Sequence, residues 1–92
     1  MKKVTILIPC YNEQESLLTL YARLKLLMDA NVSYCWEILF VNDGSKDNTI
    51  HIIKQLHYKD SRISYVDLSR NYGKEAAMLA GFDYATGDCM VI

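Results

Sequence analysis

Three short polar clusters contain most of the side chains in this sequence that could do chemistry: Pro9-Cys10-Tyr11-Asn12-Glu13, Asn42-Asp43-Gly44-Ser45-Lys46-Asp47 and Arg70-Asn71-Tyr72-Gly73-Lys74. Each comes directly after an apolar run. Tyr11 offers a flat ring for stacking, and Glu13 offers carboxylate oxygens that accept hydrogen bonds from sugar hydroxyls or base donors. Asp43 comes after the apolar run Ile38 to Val41 and precedes a glycine that permits a sharp turn. A carboxylate fixed there can accept the ring N–H of a base such as uracil or guanine. Gly73 allows close backbone approach, and Lys74 stands at the start of a helix whose terminal amides favour anions, so the pair can hold a phosphate.

Each of these residues also has a purely structural reading. Asn12 with Glu15 forms an Asx version of the capping box, and Glu13 suits the helix dipole at the same end. Asp43, Ser45 and Asp47 can make an Asx turn that caps the next helix, and a lone lysine in a loop is commonly solvated surface. We assign Asp43 to binding and Asp47 to structure. His51 and His57 lack an acidic or cysteine partner at ligand spacing and are expected on the surface. Asp88 either ends a helix-to-strand turn or borders the site.

The elements that must position these clusters are legible from periodicity. Val4 to Ile8, Trp36 to Val41, Ile63 to Leu68 and Cys89 to Ile92 are short runs rich in β-branched residues, and each is strand-like. Between them lie three helical segments. The first carries Leu17, Leu20, Tyr21, Leu24, Leu27 and Met28 on one broad face and starts with Asn12 as its cap. The second, from about Asp47 or Asn48, presents Ile52, Ile53 and Leu56 to a sheet and points Lys54, Gln55 and Lys59 outward. The third, from about Gly73 to Ala85, has a stripe of mostly small residues, Ala76, Ala77, Ala80, Gly81 and Tyr84, that lets it lie close against its sheet; Thr86-Gly87 supplies its stop.

This βαβαβαβ order with short connections predicts an α/β fold: a three-layer, Rossmann-like parallel sheet in strand order 3-2-1-4, joined by right-handed crossovers. A ligand crevice is expected at the carboxyl ends of the strands, beside the topological switch at strand 1, where all three polar clusters would meet.

Bulk properties narrow the class. With 92 residues, 51% hydrophobic and 23% charged, the chain has room for one small domain or part of one. A net charge of -1 gives no general attraction to polyanions and argues against a nucleic-acid partner. Cys10, Cys35 and Cys89 are odd in number and far apart, so they suggest neither a disulfide framework nor a zinc site and fit a reducing, cytoplasmic setting. The start, Met1-Lys2-Lys3 and then Val4 to Ile8, faintly resembles a signal peptide, but Pro9, Asn12 and Glu13 end the apolar run too early. No stretch reaches the ~18 apolar residues of a membrane-spanning helix.

Taken together, Ile8-Pro9-Cys10-Tyr11-Asn12-Glu13, Val41-Asn42-Asp43-Gly44-Ser45-Lys46-Asp47-Asn48-Thr49 and Arg70-Asn71-Tyr72-Gly73-Lys74-Glu75-Ala76-Ala77 resemble family 2 glycosyltransferases over essentially the whole chain. The last segment is most similar to the polyprenyl-phosphate branch, which includes dolichol-phosphate mannosyltransferases and bactoprenol glucosyltransferases. The resemblance implies that residues 1–92 are the N-terminal, nucleotide-sugar-binding part of a GT-A domain. It implies that Pro9, Tyr11, Glu13 and Asp43 line a pocket for the donor's base and ribose, and Lys74 carries over less directly. The family's metal-binding Asp-x-Asp normally comes after the fourth strand, here Cys89 to Ile92, so the ligands for Mg2+ or Mn2+ are expected beyond this sequence. No catalytic or metal-ligating residue is assigned within it. Asn42 departs from relatives that carry a second Asp there and can tune the base contact.

The implied reaction of the intact enzyme is transfer of a hexose from a UDP- or GDP-sugar to a polyprenyl phosphate, with inversion. An anionic phosphate acceptor needs little general-base help, so the main demand is charge stabilisation of the departing diphosphate by a divalent cation. The 92-residue chain alone is expected to be inactive and cytoplasmic, with the intact protein associated with the membrane's cytoplasmic face. The sheet edge at strand 4 invites self-association into a homo-oligomer. Two other readings stay open: a non-catalytic nucleotide-binding scaffold, and a dinucleotide-binding or receiver-type domain. The latter is disfavoured by the lack of GxGxxG after strand 1, of GxxxxGK[ST], and of paired acidic residues at the end of strand 1.

Overall fold

Alternation of apolar side chains along the strands decides which layer each helix joins. A computed structural model of the chain describes residues 2–91. It contains β1 (Lys3–Cys10), α1 (Leu17–Ala30), β2 (Cys35–Asp43), α2 (Thr49–Lys59), β3 (Ile63–Leu68), α3 (Lys74–Tyr84) and β4 (Cys89–Val91). The strands form one parallel sheet in the order β3-β2-β1-β4, as the element pattern predicts. Ile92, expected at the end of strand 4, and Met1, in the signal-like start, lie outside the described residues.

Ile6 and Cys10 of β1 and Ile38 and Phe40 of β2 pack on one face with Leu17, Tyr21 and Met28 of α1 and Ile53 and Leu56 of α2. Leu7, Leu39 and Val41 face the other way and meet Ala77 of α3. Three layers result. Phe40, Leu7, Ile38 and Val41 are fully buried, as expected for strands covered on both sides. Among the described residues no helix is long and apolar enough to cross a membrane.

The small-residue stripe of α3 has a clear physical purpose at Gly81, where an added Cβ would overlap a methyl of Leu7 and press within 3.1 Å of Val41 Cγ2. Ala77 is likewise buried against the sheet. Tyr84 leaves the stripe: it is 65% exposed. Leu27 is also exposed, as are Leu18 and Leu26, while Met28 holds the buried seam of α1. On α2, Ile53 and Leu56 face inward and Lys54, Gln55 and Lys59 outward, as the periodicity predicts.

Two local expectations are corrected. Asn12 does not cap α1. That helix begins at Leu17 after Ser16, with no side-chain capping bond, and Asn12 takes a left-handed backbone (φ 54°) that an asparagine tolerates. Its side chain is committed instead to the loop after β2. Second, Gly87 does not stop α3 by a left-handed turn: the helix ends at Tyr84 with Ala85 in an extended conformation. Gly87 instead brings its backbone against Thr5, and its N–H donates to Thr5 Oγ1 (2.9 Å). His57, expected at the surface, is exposed, and its Nδ1 lies 2.7 Å from the Ile63 carbonyl while its ring meets Tyr65 edge-on.

Two polar networks hold the end of the sheet remote from the carboxyl ends of the strands. Glu37 is 8% exposed. Its carboxylate accepts hydrogen bonds from Thr5 Oγ1 (2.8 Å), the Thr86 amide (3.2 Å) and Thr86 Oγ1 (3.1 Å). Asp88 accepts from the Lys3 amide (3.0 Å), which ties the α3–β4 turn to β1 and settles Asp88 as a turn residue. On the other face Arg62 binds Asp60 through Nε (2.9 Å) and Nη2 (2.8 Å), and Tyr21 donates to the same carboxylate (2.8 Å). The Arg62 guanidinium beside it holds the Asp60 carboxyl well below the usual range.

Candidate functional site

The strands end in register, and this alone brings the polar clusters together. Pro9 pairs with Val41, Cys10 with Asn42, and Asn42 and Asp43 with Asp67 and Leu68, so the loops after β1, β2 and β3 leave the sheet side by side. Between them opens a cavity of about 360 Å³ lined by Pro9, Cys10, Tyr11, Glu13, Asp43, Asn71, Gly73 and Lys74. All five residues singled out in the sequence, Pro9, Tyr11, Glu13, Asp43 and Lys74, are on that wall. Cys10, Asn71 and Gly73 join them.

The loops are laced to one another by hydrogen bonds. The Asn12 amide N–H donates to Ser45 Oγ (2.9 Å), and Asn12 Oδ1 accepts from the Lys46 N–H (2.8 Å). The Glu13 N–H donates to Thr49 Oγ1 (2.8 Å), and Gln14 Oε1 accepts from the Asn48 N–H (3.0 Å). Asp47 accepts from the Thr49 and Gln14 amides, so it secures the start of α2 as expected. The Asp47 carboxyl lies below its ordinary range: desolvation opposes this, but the bonds from Thr49 and Gln14 outweigh it.

Asp43 joins the second loop to the third. It is 3% exposed, and its two oxygens accept from the Tyr72 N–H (2.8 Å) and the Gly73 N–H (3.1 Å). Asn42, beside it, does not face the cavity: its amide donates to Asp67 Oδ1 (2.9 Å) and its carbonyl accepts from Ser45 Oγ (2.5 Å). It fixes the end of β2 between its neighbours.

The remaining wall differs in character from place to place. Tyr11 is 39% exposed and free to present its ring; Glu13 and Lys74 reach solvent. Glu13 Oε2 accepts from Ser16 Oγ (3.0 Å), which orients the carboxylate while leaving its other oxygen open. Lys74 is the first residue of α3, where the leading N–H groups lack intrahelical partners. Cys10 is a different case. Burial, and secondarily the charge of Glu13, pushes its thiol up to about 12, and the S–H points to the Ile8 carbonyl (3.6 Å), so it is an inert wall and no nucleophile. Cys10 and Asn71 carry no usable sequence signal as lining residues, because cysteine reads as core and Asn71 as a loop residue. Gly73 does, through its place beside Lys74.

Among the described residues no three His, Cys, Asp or Glu side chains are grouped to hold a metal ion. The two carboxylates of the cavity, Glu13 and Asp43, do not amount to a ligand set, and Asp43 is already engaged with two amides.

The chain is thus a parallel 3-2-1-4 α/β sheet with a crevice of acidic and basic side chains at the carboxyl ends of its strands. Residues 5–92 match the family described as Glycosyl transferase family 2, and the chain belongs to that family. It is 43% identical over 88 residues to YkcC, an uncharacterized glycosyltransferase of Bacillus subtilis (strain 168), covering 96% of this chain and 27% of that protein. It is 42% identical over 92 residues to the undecaprenyl-phosphate 4-deoxy-4-formamido-L-arabinose transferase of Salmonella choleraesuis (strain SC-B67), covering 99% and 28%. The chain thus spans little more than a quarter of the length of these relatives. The fold matches a mannosyltransferase from Pyrobaculum calidifontis solved in complex with GDP-Man and Mn2+, with a TM-score of 0.70 at 23% identity over 97% of this chain and 26% of that one. Its sheet is that of the GT-A glycosyltransferases.

Proposed function

We propose that the cavity holds the nucleoside diphosphate of a sugar donor and that the intact protein transfers a hexose from a UDP- or GDP-sugar to a polyprenyl phosphate. The observation that carries this reading is the convergence of Pro9, Tyr11, Glu13, Asp43 and Lys74 on one cavity from three separate loops. Tyr11 stacks on the base, and Pro9 bounds it. Glu13 accepts from the ribose hydroxyls through its open oxygen, and the remaining lone pairs of Asp43 accept the ring N–H of the base. Lys74 and the amide end of α3 face the phosphates. The polyprenyl branch is supported by the likeness to an undecaprenyl-phosphate transferase.

In the reaction a phosphate oxygen of the acceptor attacks the anomeric carbon from the face opposite the leaving group. The bond from that carbon to the diphosphate oxygen breaks with its electron pair, and the nucleoside diphosphate departs with inversion at the sugar. The acceptor oxygen is already ionised, so no proton has to be removed, and the work left to this part of the chain is to hold and orient the donor. The described residues do not supply a ligand set for the Mg2+ or Mn2+ that the family resemblance implies; in this proposal its ligands lie elsewhere in the intact protein, which is associated with the membrane's cytoplasmic face. The 92-residue chain alone binds nucleotide without turning it over.

Isothermal titration of the chain with UDP and with GDP tests the reading. We expect saturable binding of at least one, weakened about tenfold by Glu13→Ala through the loss of a charged hydrogen bond to ribose. No heat with either nucleotide would leave a folded scaffold only.

A further inference from the structure

The second loop is the hub of the site, and its contact with the third loop rests on two features that have no slack. Gly44 takes a left-handed backbone (φ 66°), and an added Cβ there would overlap the backbone of Arg70 and Asn71, with Arg70 Cα at 2.8 Å. The two loops therefore touch backbone to backbone. Immediately before Gly44, the buried carboxylate of Asp43 spends one lone pair of each oxygen on the amides of Tyr72 and Gly73. Gly73 itself has a left-handed backbone (φ 98°) and is held by a second acceptor, Asn71 Oδ1 (2.9 Å). Lys74 and α3 begin at the next residue.

We infer that Asp43 is a positioning residue for the phosphate side of the site: its carboxylate latches the Tyr72–Gly73 amides and so sets where Lys74 and the first turn of α3 stand. This rests on the proposed nucleotide site and changes the division of labour within it. Base reading needs only the outward lone pairs of Asp43, whereas the latch needs the two that already point at backbone N–H groups. A carboxylate suits that task because both oxygens accept. An asparagine would keep one acceptor and turn its NH2 group against a second N–H, opening one of the two bonds and freeing the loop. The latch and the base contact therefore predict different losses. Release of the loop weakens every ligand that carries a diphosphate, and loss of a base contact weakens only nucleotides with the matching base.

Two measurements on the 92-residue chain test the latch. In the unaltered protein, NMR should detect scalar couplings across the hydrogen bonds from the Tyr72 and Gly73 nitrogens to Asp43 Cγ, together with slowed amide exchange at both positions. This needs no variant and no ligand. Absence of both couplings, with fast exchange at Tyr72 and Gly73, would overturn the inference. Titrations with inorganic pyrophosphate, UDP and GDP then compare the unaltered chain with Asp43→Asn, Lys74→Ala and the double variant. The latch predicts that Asp43→Asn lowers affinity for pyrophosphate about tenfold and for UDP and GDP at least as much, and that with pyrophosphate the double variant is no worse than Lys74→Ala alone. A loss confined to UDP or GDP, with pyrophosphate unaffected, contradicts it and leaves Asp43 a base reader. If the unaltered chain binds none of the three ligands, the proposed function fails, while the couplings still decide the latch.

Discussion

Glu37 shows how a single buried charge can serve the frame and not the site. It stands at the end of the sheet opposite the cavity, and burial alone would raise its pKa. The hydrogen bonds from Thr5 and from both the amide and hydroxyl of Thr86, with the Lys3 ammonium 3.8 Å away, outweigh that and hold it below the ordinary 4.5. A carboxyl depressed in the folded state stabilises the fold above its unfolded pKa and loses that contribution as pH falls through 4.5 toward the folded value. Chemical denaturation across this range should show the unaltered chain losing stability more steeply than Glu37→Gln, and Glu37→Ala at neutral pH should cost about 2 kcal/mol because Thr5 and Thr86 lose their acceptor. Parallel slopes for the unaltered chain and Glu37→Gln would mean that the carboxylate contributes nothing. The sequence does not mark Glu37, since a lone acidic residue in a strand looks like an outward-facing position until the α3–β4 turn is seen to fold over it. Tyr11, Glu13, Asp43 and Lys74 are easier to single out, because each lies just past an apolar run, and parallel strands that end in register gather their outgoing loops on one side. The second task of Asp43, as acceptor for two amides of a distant loop, has no local signature.

At the scale of elements, hydrophobic period specifies which segments become strands and helices, and their alternation dictates the parallel order. Helix ends are less legible, for reasons particular to each. Asn12 has the chemistry of a cap but spends its side chain on the Lys46 amide, because the first two loops are close enough for an inter-loop bond to replace a local one. Gly87 reads as a helix stop but is required by close approach to Thr5. The stripe of small residues on α3 marks the buried face at Ala77 and Gly81, where the helix crosses β1 and β2, and fails at Tyr84, which is exposed. Gly81→Val tests the close packing of α3: its side chain would collide with Leu7 and Val41 and push the helix outward, destabilising the chain by about 2–3 kcal/mol. Thermal denaturation checks this, and a melting temperature unchanged from the parent would show that α3 has room to spare. Because α3 also carries Lys74, the same variant should weaken nucleotide binding in the proposed site.

The molecule as a whole divides its labour by the direction of its strands. Their amino ends are closed by Glu37, Thr86 and Asp88, and their carboxyl ends open into three interlocked loops around one cavity. Membership of glycosyl transferase family 2 fits that polarity, and the chain spans little more than a quarter of the length of the relatives it matches. The central claim is that one nucleoside diphosphate touches all three loops together. Amide chemical shifts of the isotopically labelled chain, tracked during titration with UDP and with GDP, test it most directly. The account predicts saturable shifts clustered at Tyr11, Glu13, Asp43, Gly73 and Lys74 in a single binding event, with Glu37 and Thr86 unmoved; shifts confined to one loop, or centred on the Glu37 end of the sheet, would contradict it.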